Sequence, residues 1–180
     1  MPGDGGSLPP VDAYLAVVSK REIRSYAPRP LAAEAERRIL EAGRIAGSSK
    51  NRQARRFVVL RDPGLVEEAA ASVYAGENVS GAAFVVAIVI GGKGPTAFDA
   101  GRAAQNMMLA AANDGIGSCP NGIADAARLQ AAVGHGDDET VATVLTFGHP
   151  AQPRDPEARS AEEWIARADR RPFEEVVEER

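Results

Sequence analysis

The chain has 180 residues, 44% hydrophobic and 26% charged, with a formal net charge of −4. This is ordinary globular composition, so disorder and a membrane protein are disfavoured, and the acidic balance leaves no general surface for nucleic-acid phosphates. One cysteine, Cys119, excludes an internal disulfide and argues against a cysteine-based metal site.

Residues 1–10, rich in glycine and proline, are expected to form a flexible leader. They carry neither a basic cluster nor an apolar run, do not read as a secretory signal, and leave a cytoplasmic address as the expectation. Residues 11–20 read as a short helix with Val11, Leu15 and Val18 on one face, and Pro28 and Pro30 then force an extended break. Over 32–46 a second helix places Ile39, Leu40, Gly43 and Ala46 on one side, and Gly47 stops it. Next comes a polar loop, Ser48, Ser49, Lys50, Asn51, Arg52 and Gln53. Its hydroxyls and amides suit either a solvated connection or a wall for a polar ligand.

Residues 56–61 read as a strand, and Asp62 with Pro63 starts a helix that runs to about Tyr74. A loop is expected over 76–81, then a strand over 83–90 apolar enough to be central and covered on both faces. The glycine run 91–94 lacks the spacing of a phosphate-binding P-loop. Residues 96–113 form the longest expected helix, with Phe98, Gly101, Gln105, Met108, Leu109 and Ala112 at helical spacing and alanines over most of its remaining surface. Such a helix suits a central position or a subunit interface, with Met107 and Met108 as core filler. A short strand running into a glycine and asparagine loop over 115–122, a helix over 124–133 and an alternating strand over 140–147 complete the body. A linker over 151–156 and a helix fragment over 161–168 follow. The tail carries Trp164, Ile165, Phe173, Val176 and Val177, and is expected to dock on its own body or on a second subunit.

Side chains for direct catalysis are not evident. His135 and His149 have no acid at ligand spacing, so no zinc site is expected; Ser118 lacks the turn of a nucleophile elbow, and Cys119 reads as packing. If the chain is an enzyme, its chemistry belongs to a cofactor. Basic residues gather at Lys20, Arg21 and Arg24, at Lys50, Arg52, Arg55 and Arg56, and at Arg167, Arg170 and Arg171. These clusters either converge on one anionic group or form three solvated faces.

Four motifs, in order, carry a resemblance: an opening made of residues 20–26 (KREIRSY) and 47–53 (GSSKNRQ) before the strand, then 99–111 with 115–120 (DAGRAAQNMMLAA, GIGSCP), 145–150 (LTFGHP), and 170–177 (RRPFEEVV). Together they resemble the nitroreductase family of FMN-dependent oxidoreductases over roughly residues 11–177. The resemblance implies an α+β fold, a central mostly antiparallel sheet flanked by helices, as a homodimer with FMN in two interfacial clefts. The implied organisation is a leader at 1–10, an FMN-binding domain at 11–150 and an extension at 151–180 exchanged onto the partner. By position, Lys20, Arg21, Glu22, Arg24 and Arg170 stand at the phosphate end. Ser48, Ser49, Asn51 and Gln53 are presented to the flavin of the other subunit, and Pro120, Asn121 and Gly122 lie along the isoalloxazine with a backbone N–H near N5. The implied reaction is ping-pong: NADH or NADPH reduces FMN, and a nitroaromatic, quinone or enone acceptor then takes its place. No catalytic side chain, metal, nucleic acid or membrane is implied.

Departures from the family pattern bear on the substrate. Glu22 stands where serine is usual, and an acid there is a mark of the related branch that degrades reduced flavin with oxygen to make dimethylbenzimidazole. Gly47 replaces a proline, Ala54 and Arg55 replace proline and tryptophan, and residues 76–81 leave little room for a helical insert. The alternatives are therefore that flavin-degrading activity, or a non-catalytic flavin or deazaflavin binder.

Overall fold

In the computed structural model, which describes residues 12–180, the expected central strand forms as β2 (Phe84–Gly91), buried along all but its last residue. The leader expected over residues 1–10, and Val11 of the first helix, lie outside the described residues. β2 pairs antiparallel with β1 (Arg55–Leu60) on one side and β4 (Glu139–Gly148) on the other. β4 in turn pairs antiparallel with β3 (Gly117–Asn121), giving the order β1-β2-β4-β3 with β1 and β3 as edges.

Alternation along β2 explains its unbroken apolar run. Val86, Ile88 and Ile90 enter one core, and Val85, Ala87 and Val89 the other. The first core lies under α2 (Ala33–Arg44) and α5 (Thr96–Asn113) and contains the fully buried Ile39, Met107, Leu145 and Phe147. Val79, Leu129 and Val144 fill the second, under α3 (Pro63–Ala71), α4 (Gly76–Ser80) and α6 (Ala126–Val133). The β2–β4 register shifts between Ile88 and Val89, and Ala142 is the extra residue. That bulge lets Val141 and Val144 enter one core while Ala142 packs on the other. Helices on both faces of an antiparallel sheet make the fold α+β, as expected.

Local chemistry sets the elements. The Asp62 carboxylate accepts the Leu65 N–H at 3.1 Å, and Pro63 occupies the first turn of α3. The loop expected over 76–81 is instead the short helix α4. A Cβ at Gly76 would lie 2.7 Å from the Ala70 carbonyl oxygen, so only glycine lets the chain turn this tightly after α3 and bury Val79. On α5 the apolar face read from the sequence is divided: Met108 is buried, while Phe98, Gly101 and Gln105 are exposed. Ala100, Ala103, Ala104, Met107 and Ala111 form the core stripe, because alanines let the helix lie close to its neighbours.

The chain divides into two compact units, Arg21–Arg154, which holds the sheet, and a second made of the segment up to Lys20 with Asp155–Arg180. In the second, α1 (Ala13–Ser19) packs with α7 (Ala161–Ala166), which starts on a capping box of Ser160 and Glu163. Trp164 is buried and donates its indole N–H to the Pro156 carbonyl at 2.8 Å. Ile165, and Phe173, Val176 and Val177 in and after α8 (Phe173–Val176), are exposed in the single chain.

Within the sheet unit, Gly117 and Gly148 face each other across β3 and β4. A Cβ at Gly117 would stand 2.7 Å from Ile23, and one at Gly148 would stand 2.7 Å from the Tyr26 ring. The bare backbone at this pair is what allows residues 21–26 to lie on the sheet. The Ile23 N–H donates to the Ser118 carbonyl at 2.9 Å and the Ala27 N–H to the His149 carbonyl at 2.8 Å. Gly148→Ala is expected to destabilise the fold by about 1–3 kcal/mol through overpacking. Urea unfolding measures this, and an unchanged midpoint would contradict the role given to the bare patch.

Candidate functional site

Segment 21–24 presents its polar residues outward because Ile23 turns in. Arg21 is half-buried, Glu22 and Arg24 are exposed, and no carboxylate among the described residues forms an ion pair with Arg24. The neighbouring edge strand β3 ends in exposed Pro120, buried Asn121 and exposed Gly122. Proline is tolerated there because an edge strand needs no donor on its outer side. The Asn121 side chain turns inward, donating to the Cys119 and Val144 carbonyls at 3.2 and 3.1 Å, so only its backbone can face a ligand. The Gly122 carbonyl accepts the Tyr74 N–H at 3.0 Å, and the Tyr74 ring lies 3.1 Å from where a Cβ of Gly122 would be.

The loop at 48–53 is a one-turn 3-10 element, Ser49–Asn51, with left-handed backbone at Lys50, Asn51 and Gln53 (φ 52°, 51° and 52°). Asparagine adopts this conformation readily, whereas lysine and glutamine do so at a cost that concentrates at binding sites. Several hydrogen bonds hold the strained turn. The Gln53 N–H donates to the Ser48 hydroxyl at 2.9 Å, and the Ser49 N–H donates to the buried Asp99 carboxylate at 3.0 Å. Asp99 lies in the first turn of α5, with Arg102 at 3.9 Å. The arrangement leaves Asn51 and Gln53 exposed and Ser48 and Ser49 half-buried.

Two departures in this region have a structural reason. A Cβ on Gly47 would lie 2.6 Å from the Arg102 guanidinium, so a side chain there would require the flexible end of Arg102 to move aside. Arg55 reaches back to the end of α2, where one nitrogen donates to the carbonyls of Gly43 (3.3 Å), Arg44 (3.5 Å) and Ala46. Its charge offsets the negative end of the helix dipole, and it donates to carbonyls of the last turn and the residues just after it.

One chain brings only part of the expected set together. Arg21, Glu22 and Arg24 neighbour the strand that carries Pro120, Asn121 and Gly122. Ser48, Ser49, Asn51 and Gln53 precede β1 at the opposite edge of the sheet, three strands across from β3. Lys20 and Arg170 belong to the second unit, where Arg170 donates to the Ala168 carbonyl at 3.1 Å. An open hollow of about 420 Å³ beside Leu60, Arg61, Val66 and Phe84 contains none of these residues. Among the described residues no cluster of His, Cys, Asp or Glu could hold a metal ion, and no helix is long and apolar enough to cross a membrane.

Sequence reasoning missed Asp99 as the anchor of the loop, although it opens one of the motifs carrying the resemblance. It also missed Tyr26, Asn78 and Thr146, whose polar groups meet around Asn121. Tyr26 has its hydroxyl pKa pushed up to about 12, chiefly by burial.

The nitroreductase family model matches residues 17–90 and 92–149. A provisionally named nitroreductase from Desulfovibrio desulfuricans, solved in complex with FMN, is 31% identical, with 94% of this chain and 97% of that chain covered and a TM-score of 0.79. A provisionally named NADH dehydrogenase/NAD(P)H nitroreductase from Archaeoglobus fulgidus is 29% identical over 149 residues, covering 77% of this chain and 86% of the relative. An NADPH:FMN oxidoreductase from Vibrio harveyi, solved with NAD+, shares the fold at 24% identity and a TM-score of 0.76, over 91% of this chain and 75% of that chain. With its family model covering most of the sheet unit and a relative matched nearly end to end, the chain belongs to the nitroreductase family.

Proposed function

We propose that the protein is a cytoplasmic, homodimeric FMN-dependent oxidoreductase that takes hydride from NADH or NADPH and reduces a nitroaromatic, quinone or enone acceptor by a ping-pong cycle. The observation that carries this reading is that the arginine segment 21–24 is held at one sheet edge against β3, through the Ile23 N–H and the Ser118 carbonyl, and that the same strand runs on to exposed Pro120. The donor set fits FMN. Exposed Arg24, which forms no ion pair among the described residues, matches a phosphate in charge and fork geometry, and an exposed strand end offers main-chain groups to the polar edge of a flavin ring.

Arg21 and Arg24 would hold the phosphate, with Lys20 and Arg170 as further cations by family position. Glu22, exposed beside them, would orient an arginine. Gly122 would let the backbone approach the ring, and Pro120 and the Asn121 backbone would line it. Ser48, Ser49, Asn51 and Gln53 would reach the flavin of a second copy, because they stand at the far edge of their own sheet. The exposed Phe173, Val176 and Val177 support the exchange of residues 151–180 onto that copy. Bound FMN would supply the hydride chemistry, so the chain's task is to bind, orient and shield.

Anaerobic addition of NADH or NADPH to the FMN-loaded protein is expected to bleach the flavin, and a quinone added afterwards to restore its colour. Loss of FMN absorbance in air, without an acceptor and without recovery, would favour the flavin-degrading alternative. Arg24→Ala is expected to raise the Kd for FMN about ten- to a hundredfold, the cost of one charge-assisted hydrogen bond, with an unchanged circular-dichroism spectrum. Fluorescence titration of FMN measures it, and wild-type affinity would remove Arg24 from the site.

A further inference from the structure

We infer that the hydrogen-bonded chain Tyr26–Thr146–Asn121–Asn78 is a positioning network that fixes the end of β3 relative to the arginine segment, an inference that rests on the FMN reading above. The Tyr26 hydroxyl lies 2.9 Å from Thr146 Oγ1. Thr146 Oγ1 donates to the Cys119 carbonyl at 3.2 Å and accepts the Asn121 amide at 3.3 Å. Asn121 Oδ1 accepts the Asn78 side-chain amide from α4 at 3.2 Å. Thr146 is fully buried, and Asn78 and Asn121 are 5% exposed.

The Tyr26 hydroxyl also donates to the Thr146 carbonyl at 3.3 Å, so it meets both the main chain and the side chain of that residue. A tyrosine is protonated at physiological pH, and burial raises this hydroxyl further, to about 12, so the bond does not switch off there. The network acts where the sheet is weakest. β3 is an edge strand of only five residues, and Pro120 has no N–H to give. Asn121 adds side-chain bonds to this short ladder, tying its own strand at Cys119 to β4 at Val144, while Asn78 holds it from the helical layer.

At its other end the network is tied to Tyr26, two residues beyond Arg24. Tyr26 also bridges to Pro150. The segment proposed for the phosphate and the strand end proposed for the ring are therefore linked by one satisfied polar chain inside the protein. Tyr26, Thr146 and Asn78 touch no ligand in this assignment; they are positioning residues that act through the Asn121–Gly122 backbone.

The test compares Tyr26→Phe and Thr146→Val, which remove a hydroxyl, with Thr146→Ser, which keeps it. Two readouts are used: amide hydrogen exchange at Asn121 and Gly122 in the FMN-free protein, and the two-electron midpoint potential of bound FMN. In the first two variants exchange is expected to speed up about tenfold through local opening. The ratio of affinities for reduced and oxidised FMN is expected to change about tenfold, a shift of about 30 mV. Thr146→Ser is expected to match the wild type in both. Wild-type exchange and potential in all three variants would overturn the inference and leave the FMN reading standing, whatever their melting temperatures. A wild-type protein that takes up no FMN would overturn that reading and the inference with it.

Discussion

The crossing of residues 21–26 over the glycine pair Gly117 and Gly148 is the contact on which the site depends. With side chains at those two positions, Ile23 and Tyr26 could not reach the sheet, and the arginine segment would lose its place beside β3. A Cβ of each glycine would fall 2.7 Å from the residue above it, a separation that real Cβ atoms essentially never show. Absence of two side chains thus sets where two cations stand. The same crossing delivers the Tyr26 hydroxyl to Thr146, so that backbone packing and the buried polar chain reinforce each other at one end of the sheet.

The antiparallel order β1-β2-β4-β3 determines what a single chain can do with these residues. It places the arginine segment beside β3, the strand that carries Pro120 and Asn121, and sends the strained loop at 48–53 to the far edge. The loop's cost in left-handed backbone is sustained by bonds to Ser48 and to Asp99 on α5, a rigid helix anchored through its alanine stripe. A cleft that uses both halves needs a second copy of the chain. This division gives a physical reason for the homodimer in the proposed function.

Much of the architecture was legible in the sequence because burial leaves periodic marks. β2 reads as continuous apolar sequence since both its faces are covered, and α5 spans residues 96–113 as expected. Its inward face was misread, since alanines carry little hydrophobic signal and yet define the stripe that packs. α4 was read as a loop because its glycine and polar residues look like a turn; Val79 and Asn78 are inside for tertiary reasons that no local pattern records. The candidate residues themselves came through resemblance, as spacing alone left the basic clusters and the polar loop ambiguous. The Tyr26 network was invisible for a further reason: its members are scattered from position 26 to position 146 and meet only in the fold.

The central claim is that one chain supplies the phosphate and strand-end half of each cleft while the other supplies the loop. Mixing subunits tests it most directly. Arg24→Ala chains are co-refolded with chains carrying Asn51→Ala and Gln53→Ala, and FMN binding by the isolated mixed dimer is compared with that of each parent. If the halves come from different copies, the mixed dimer regains one intact cleft and binds FMN with wild-type affinity there. Binding no better than that of the two parents would contradict the account.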